Sequence, residues 1–267
     1  SGSTLTNTTK TDIVTQLKKY NVASVTPEIV DPEITKILLT TNVKFDEKTT
    51  TKTATTLKSD VTTTITNYNT NTLSQFDSVF RFSKLSSLID ATDTSILSNI
   101  TTLKIRKDFT PTLGSSTRYD VYFRNALFNP HSGHNADAGG ILESSGFKIS
   151  GDSSTVFFLD DDGQGNVRRY SFSGATRVYA NENQGTIDYD TGAITINSLS
   201  VLSVENIRGS VSSKIELTVV PQSNDVVPVR DQIIEIDTAN SSVTVAADTF
   251  VGGSSDAGVG YTTSSSY

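Results

Sequence analysis

The chain has 267 residues, of which 35% are hydrophobic and 19% are charged, and its formal net charge is −7. This length holds one large domain or two ordinary ones. A nucleic-acid-binding protein needs a basic face to neutralise phosphates, and the longest basic clusters here are Lys18-Lys19 and Arg168-Arg169. The composition therefore argues against direct contact with DNA or RNA.

Two further features of the composition narrow the class of protein. The sequence contains no cysteine, which excludes disulfides, cysteine-ligated zinc and thiol catalysis. No apolar run approaches the roughly 20 residues that a membrane-spanning helix requires, and the polar start at residues 1–4 does not resemble a signal peptide. Methionine is absent as well, even at position 1, so we expect a fragment of a longer protein.

The first part of the chain predicts alternating helices and strands. Apolar residues at helical spacing predict a helix over residues 9–20, with Thr9 and Asp12 as a capping pair. The β-rich segment 22–30 follows. Period-2 patterning then predicts a strand over residues 37–45 with one mostly apolar face, formed by Ile37, Leu39, Thr41, Val43 and Phe45.

Two more helices and a strand are predicted next. An apolar stripe recurs at intervals of three and four residues and consists of Ala54, Leu57, Val61, Ile65 and Tyr68. Threonine fills the other face of this helix, so packing must stabilise it more than intrinsic propensity does. A short helix over residues 83–91 and a strand over residues 101–109 complete this part.

The predicted order of elements suggests a known architecture. The order α-β-β-α-α-β lacks the first strand of a ferredoxin-like split βαβ sandwich, β-α-β-β-α-β. We therefore predict an α+β fold whose first domain, residues 1–109, is a ferredoxin-like sandwich lacking its first strand. That strand would precede residue 1, which agrees with the missing methionine.

Helical periodicity disappears after the turn-rich segment 110–116. Strands are predicted at residues 119–127, 155–159, 167–172, 177–180, 185–188, 193–196, 214–220, 232–236 and 242–246. We predict an all-β domain, rich in antiparallel hairpins, over residues 110–251. The remaining residues, 252–267, are rich in glycine, serine and threonine and predict a flexible tail.

An acidic, glycine-containing segment that begins at Asp160 is the sharpest local signal. In a calcium loop, Asp160, Asp162 and Gln164 would be the ligands at positions one, three and five, with Gly165 at six. Position twelve should be a glutamate but is Ser171, and a strand follows instead of a helix. We favour a solvated hairpin turn, since aspartate and glycine are common turn residues, and leave calcium binding open.

Other candidate sites have simpler structural explanations. His131 and His134 form an HxxH pattern with Asp137 as a possible third ligand, but zinc sites need three or four well-held ligands. The glycines around them favour an exposed or interface loop. The carboxylates of Asp188 and Asp190 flank a predicted turn, so we interpret them as turn residues and not as a general acid and base.

Sequence motifs of common enzymes are absent. There is no GxSxG and no phosphate-binding GK[ST], and serine near one of two histidines does not establish a catalytic triad. Phe76, Phe80 and Phe82 are interpreted as core between elements, with an exposed recognition patch as the alternative. We assign no catalytic, cofactor-binding or metal-binding residue and no cofactor, and we expect that the protein is not an enzyme.

An ordered succession of segments resembles a known family. The segments are Tyr20-Asn21-Val22, residues 25–32, the strand at 38–45, residues 76–85, Ile89-Asp90-Ala91, residues 98–107 and the hairpin at 185–194. Together they resemble the C-terminal region of the baseplate wedge protein of T-even-like contractile-tailed phages, in the baseplate J-like family.

The resemblance implies a structural virion protein of the tail baseplate, assembled in the host cytoplasm. It implies association with itself, as a homodimer or ring, and with other wedge proteins, so that neighbouring wedges join into a ring around the central hub. We expect no nucleic-acid, membrane or small-molecule partner. The alternative is a carbohydrate- or surface-binding module of an adhesion structure, with stacking faces from Tyr119, Tyr122, Tyr170 and Tyr189, although tryptophan is absent.

Overall fold

The structure, a computed structural model, describes residues 5–20, 25–29, 31–132, 140–229 and 232–249. These residues form helices, one π-helical turn and two sheets. In chain order the elements are α1 (Asn7–Lys18), β1 (Glu33–Phe45), α2 (Ala54–Tyr68), the π-helical turn (Asn69–Leu73), α3 (Phe82–Asp90), β2 (Ile96–Phe109), β3 (Ser116–Tyr122), β4 (Glu143–Ser144), β5 (Phe147–Ile149), β6 (Asp152–Asp161), β7 (Asn166–Ser173), β8 (Thr176–Asp188), β9 (Ala193–Val204), β10 (Ile215–Val219), β11 (Gln232–Ile236) and β12 (Ser242–Ala247).

The first sheet is built around β1. One edge of β1 pairs antiparallel with β2, and the other edge pairs first with β11 and then with β12, both parallel to β1. β10 extends the sheet beyond β2, and the short β4 pairs with β10. Strands from both ends of the chain therefore meet in one sheet.

Helices α2 and α3 cover one face of this sheet. Alternation along β1 places Ile37, Leu39 and Val43 on the covered face, where each is buried. The stripe of α2 packs against them, and α2 begins at an N-cap in which the Thr53 side chain accepts a hydrogen bond from the Thr56 amide. On the opposite face of β1, the exposed residues are the polar Thr40, Asn42 and Lys44, as expected for an antiparallel pair that leaves one side in water.

The second sheet closes into a five-stranded barrel. Successive strands from β5 to β8 pair antiparallel, and β9 pairs with both β8 and β5. β3 lies outside the ring, on the other edge of β9. Closure depends on Gly185, because a Cβ there would lie 1.9 Å from the carbonyl oxygen of Thr195 on the neighbouring strand.

Several predicted elements are confirmed. The strand at 37–45 lies within β1, and α2 has the predicted bounds, Ala54–Tyr68. The capping pair predicted for α1 is wrong, since Thr6 is the N-cap and accepts a hydrogen bond from the Thr9 amide. Within segment 22–30, only residues 25–29 are described, and they form no strand.

The α+β class is confirmed, but the observed sheet differs from the predicted ferredoxin-like arrangement. β1 obtains its second neighbours from β11 and β12, near the other end of the chain, because strand pairing satisfies the backbone groups along both of its edges. β4 and β10 also join this sheet and not the barrel. The predicted boundary between residues 109 and 110 therefore does not separate the two sheets. The predicted tail, residues 252–267, lies outside the described residues.

Candidate interaction surfaces

The segment that begins at Asp160 forms a hairpin, as predicted, with β6 and β7 as its strands. The Asp160 side chain is fully buried. It accepts hydrogen bonds from the guanidinium groups of Arg168 (3.0 Å) and Arg177 (2.8 Å) and from the hydroxyl of Tyr179 (3.0 Å). Burial raises the pKa of Asp160, and the two arginines oppose that effect. This carboxylate is the acidic member of a buried ion cluster.

The remaining residues of the proposed calcium loop do not converge with Asp160. The carboxylate of Asp162 accepts hydrogen bonds from the backbone amides of Gln164 (2.8 Å) and Asn166 (2.9 Å), which is how aspartate stabilises a turn. Ser171 lies in β7 opposite Phe157. In the described part of the chain, no three aspartate, glutamate or histidine side chains are grouped in a way that could hold a metal ion.

Asp161 is the residue of this segment that sequence reasoning overlooked. Its buried carboxylate accepts hydrogen bonds from the backbone amides of Ile141 (2.6 Å) and Leu142 (2.7 Å) and from the Tyr189 hydroxyl (2.6 Å). A Cβ on Gly140 would lie 1.8 Å from the same carboxylate. Asp161 thus fixes the segment that follows residue 139 onto the end of the barrel.

The other residues considered for chemistry have separate positions. His131 is exposed, whereas His134 and Asp137 lie outside the described residues, so the exposed or interface loop favoured for this segment stays a prediction. Asp188 accepts hydrogen bonds from the Thr191 hydroxyl and from the amides of Asp190 and Thr191. These hydrogen bonds lower the pKa of Asp188, and the bond from the Thr191 hydroxyl contributes most. They identify Asp188 as a turn residue.

The aromatic residues divide between core and surface. Phe80 is fully buried, and Phe82 packs against the core, whereas Phe76 is 66% exposed. The core interpretation therefore holds for two of the three phenylalanines.

Three of the four tyrosines considered for carbohydrate stacking are buried or contact other side chains of the protein. Tyr170 is buried, Tyr189 bonds to Asp161, and Tyr119 packs against Phe109 with a centroid distance of 4.8 Å. Tyr122 is 47% exposed. A row of free aromatic faces is thus not present among these four.

Helix α1 is amphipathic but contains no buried residue. Its apolar residues Ile13 and Leu17 are exposed, and an ion pair of 2.5 Å between Lys10 and Asp31 connects it to the residues before β1. An apolar helix face normally packs against another element. The described residues therefore leave the apolar side chains of α1 uncovered. None of the helices in the described ranges is long and apolar enough to cross a membrane.

Helix α2 presents a second surface, made of threonine. The hydroxyls of Thr62, Thr63 and Thr66 each donate to the carbonyl oxygen four residues earlier. Because these hydroxyls are used within the helix, the methyl groups make up much of the outward surface. Their side chains are also stiff at χ1.

A buried charge network connects strands from distant parts of the sequence. The Arg106 guanidinium, 3% exposed, lies 2.9 Å from a carboxylate oxygen of Asp108, 3.1 Å from Glu216 and 2.8 Å from Asp237. These residues belong to β2, to β10 and to the turn after β11. A cleft of about 420 Å³ beside the network is lined by both acidic and basic side chains, so it does not favour a ligand of one charge.

Two protein-family models match the chain. Residues 35–108 match baseplate structural protein gp6, C-terminal domain III, and residues 1–30 match baseplate structural protein gp6, C-terminal domain I. No curated protein matches the sequence. The longer match coincides with the unit from β1 to β2, and the shorter one contains α1. These matches support a structural, non-enzymatic role for the chain in the tail baseplate of a bacteriophage.

Proposed function

We propose that the chain is the C-terminal part of a baseplate wedge protein of the T-even-like, baseplate J-like kind. In this role it associates with itself and joins neighbouring wedges into a ring around the central hub. The observation that carries the proposal is the match of residues 35–108 to domain III of a baseplate structural protein, over the unit that forms the centre of the first sheet.

The exposed surfaces support an assembly role. α1 lies within the match to domain I, yet its apolar residues Ile13 and Leu17 contact no core in the described residues. The threonine face of α2 is polar in composition but rich in methyl groups, which suits a surface that is soluble before assembly and packs closely afterwards. Asp160 and Asp188, which stood out in the sequence, stabilise the barrel and one of its turns, and so does Asp161, which did not stand out.

Two measurements test the proposal. Sedimentation velocity of the purified chain over a wide concentration range should show a dimer or a larger assembly. Mixing the chain with the other purified wedge proteins of the same phage should give a co-sedimenting complex. A chain that stays monomeric at all concentrations and binds none of the wedge proteins would contradict the proposal.

The ring itself requires an experiment on the virion. Phage that carries a nonsense mutation in this gene should assemble no complete baseplate ring in negative-stain electron micrographs. Supplying the intact protein from a plasmid should restore the ring. Complete, normal rings formed without the protein would show that it does not join neighbouring wedges.

A further inference from the structure

One edge of β2 is only partly used. Residues 96–106 pair with β1 on one side, but on the other side β10 pairs only with residues 105–109. Within the described ranges, no other strand pairs with residues 97–104, and their backbone groups make no hydrogen bond to a turn or loop. Among the described residues, the backbone groups on this side of the segment therefore have no strand partner.

This edge lacks the usual protection against strand addition. Natural edge strands are commonly guarded by charges, proline or bulges. Residues 98–103 contain no charged residue, no proline and no glycine, and they include the β-branched residues Ile100, Thr101 and Thr102. The register with β1 shifts at Leu97, at the start of the segment, so the only bulge in this pairing lies at that end and residues 98–103 continue in regular register. Ile100 is 67% exposed. Lys104, the first charge that follows, is paired with Glu143 at 2.7 Å.

We propose that this edge receives the same edge of a second copy, in antiparallel orientation, so that one sheet continues through both molecules. The inference rests on the self-association in the proposed function and names the surface that provides it. Antiparallel self-pairing is isologous, so one segment must complement itself. With Ile100 opposite its own copy, Ser98 lies opposite Thr102, and no like charges oppose each other between residues 96 and 104.

The same register explains the exposed apolar residue. Ile100 would be covered by its counterpart, and β-branched pairs across strands stabilise a sheet. The peptide groups at the edge would gain hydrogen-bond partners along the whole uncharged segment. A strand of a different wedge protein is the competing occupant. The charge neutrality and self-complementarity of residues 96–103 favour the second copy.

Cysteine cross-linking tests the proposal directly, because the chain has no cysteine of its own. Ile100→Cys should give a covalent dimer with an oxidant or a short bis-maleimide, since opposed Cβ atoms lie about 4.5–5.5 Å apart. Thr40→Cys is the matched control: Thr40 is exposed on the same face but one strand inward. Its copies would be separated by at least three strand spacings, about 14 Å, and should not form a disulfide.

Sedimentation of charged variants gives an independent readout. Ile100→Lys should raise the dimer dissociation constant by about tenfold or more, because like charges directly opposite each other disfavour pairing. Thr40→Lys should leave the constant unchanged. Circular dichroism of each variant checks that the fold is retained, and the cysteine result stands even if Ile100→Lys fails to fold.

The possible outcomes distinguish the proposal about the β2 edge from the broader proposal that the chain associates with itself. If the wild-type chain dimerises but Ile100→Cys does not cross-link and Ile100→Lys does not weaken the dimer, the edge proposal is overturned and self-association stands. A monomeric wild-type chain overturns both. A third experiment mixes Ile100→Cys with another wedge protein that carries an introduced cysteine. If Ile100→Cys cross-links only to that protein, the proposal that a second copy occupies the edge is overturned.

Discussion

The hydroxyl of Tyr189 donates a 2.6 Å hydrogen bond to the carboxylate of Asp161, which joins the turn after β8 to the end of β6. Burial and this hydrogen bond hold the pKa of Tyr189 above its usual value, so the tyrosine remains a proton donor. The same carboxylate receives two backbone amides from residues 141 and 142. One buried side chain therefore organises three segments at one end of the barrel.

Replacing this carboxylate should destabilise the protein strongly. We expect Asp161→Ala to lower the free energy of unfolding by about 3 kcal/mol or more, because each buried donor left without an acceptor costs about 1–3 kcal/mol. Urea denaturation followed by circular dichroism measures the change. Asp190→Ala, at an exposed position in the nearby turn, should stay within about 0.5 kcal/mol of wild type. Equal effects of the two substitutions would contradict the role of Asp161.

The Arg106 network provides a second test. Arg106→Met leaves Asp108, Glu216 and Asp237 without their shared cation, and we expect a loss of about 3–5 kcal/mol in unfolding free energy, as for other broken buried pairs. Lys104→Met is the control, because its pair with Glu143 is solvent-exposed and should contribute about 0–1 kcal/mol. A loss below 1 kcal/mol for Arg106→Met would show that the network contributes little.

Barrel closure should be sensitive to a single methyl group. Gly185→Ala places a Cβ 1.9 Å from the Thr195 carbonyl oxygen, so β8 and β9 must separate. Gly174→Ala has no atom within 4 Å of the added Cβ and pays only the conformational cost of its positive φ, roughly 1–2 kcal/mol. We expect faster hydrogen exchange across β8 and β9 in Gly185→Ala alone. Unchanged exchange in both variants would contradict the closure argument.

The pair formed by Lys52 and Asp93 predicts a dependence of stability on acid. The Lys52 ammonium, together with the Ser95 hydroxyl and amide, lowers the pKa of Asp93 from 3.8 to about 2. A carboxyl group whose pKa is lower in the folded state stabilises the native state at pH values above its unfolded-state pKa. This stabilisation is lost as the pH falls towards the folded-state pKa. Unfolding free energy should therefore fall between about pH 4 and pH 2.

Two variants isolate this pair from the other carboxylates. Asp93→Asn should reduce the slope of unfolding free energy against pH in this acid interval, because the group no longer titrates. Lys52→Met should remove much of the same slope, since Lys52 is the largest cause of the shift. Denaturant titrations at several pH values provide the measurement. A curve for Asp93→Asn that runs parallel to wild type would count against the pair.

Because the apolar face of α1 is exposed, we expect substitutions on it to affect binding to other wedge proteins and not the stability of the chain. Ile13→Ser combined with Leu17→Ser should leave the melting temperature unchanged, because no residue of α1 is buried. It should weaken binding to the other wedge proteins if α1 packs against one of them. Leu57→Ala, in the core face of α2, should instead lose about 2–5 kcal/mol of stability. A double variant that is destabilised like Leu57→Ala would show that α1 packs within the chain.

Local elements could be predicted from the sequence because their signals are local. The stripe of α2 recurs within fifteen residues, and the alternation in β1 lies within one strand. The partners of β1 could not be predicted, because nothing in residues 33–45 identifies a segment near the other end of the chain as its neighbour. The prediction of a missing first strand shows this limit. One edge of β1 does require further strands, but β11 and β12 supply them.

The site residues illustrate a different limit. The aspartates of segment 160–162 look equivalent in sequence, yet alternation in β6 directs Asp160 and Asp161 to opposite faces. Continuing the buried positions Phe157 and Leu159 by two residues reaches Asp161, so period-2 reasoning could have identified it as the inward residue. Three of its hydrogen-bond donors, at Ile141, Leu142 and Tyr189, are 19 to 28 residues away in the chain, which the spacing alone does not indicate.

The parallel pairing of β1 with β11 also governs when the protein can fold during its synthesis. Ile37 pairs with Ile236, so about 200 residues must leave the ribosome between the two partners, and closing so long a loop is entropically slow. A nascent chain that already contains the helices and β2 still has a bare β1 edge. Completion of the first sheet is therefore a late event in synthesis, and a chain that ends before β11 keeps one edge of β1 unpaired.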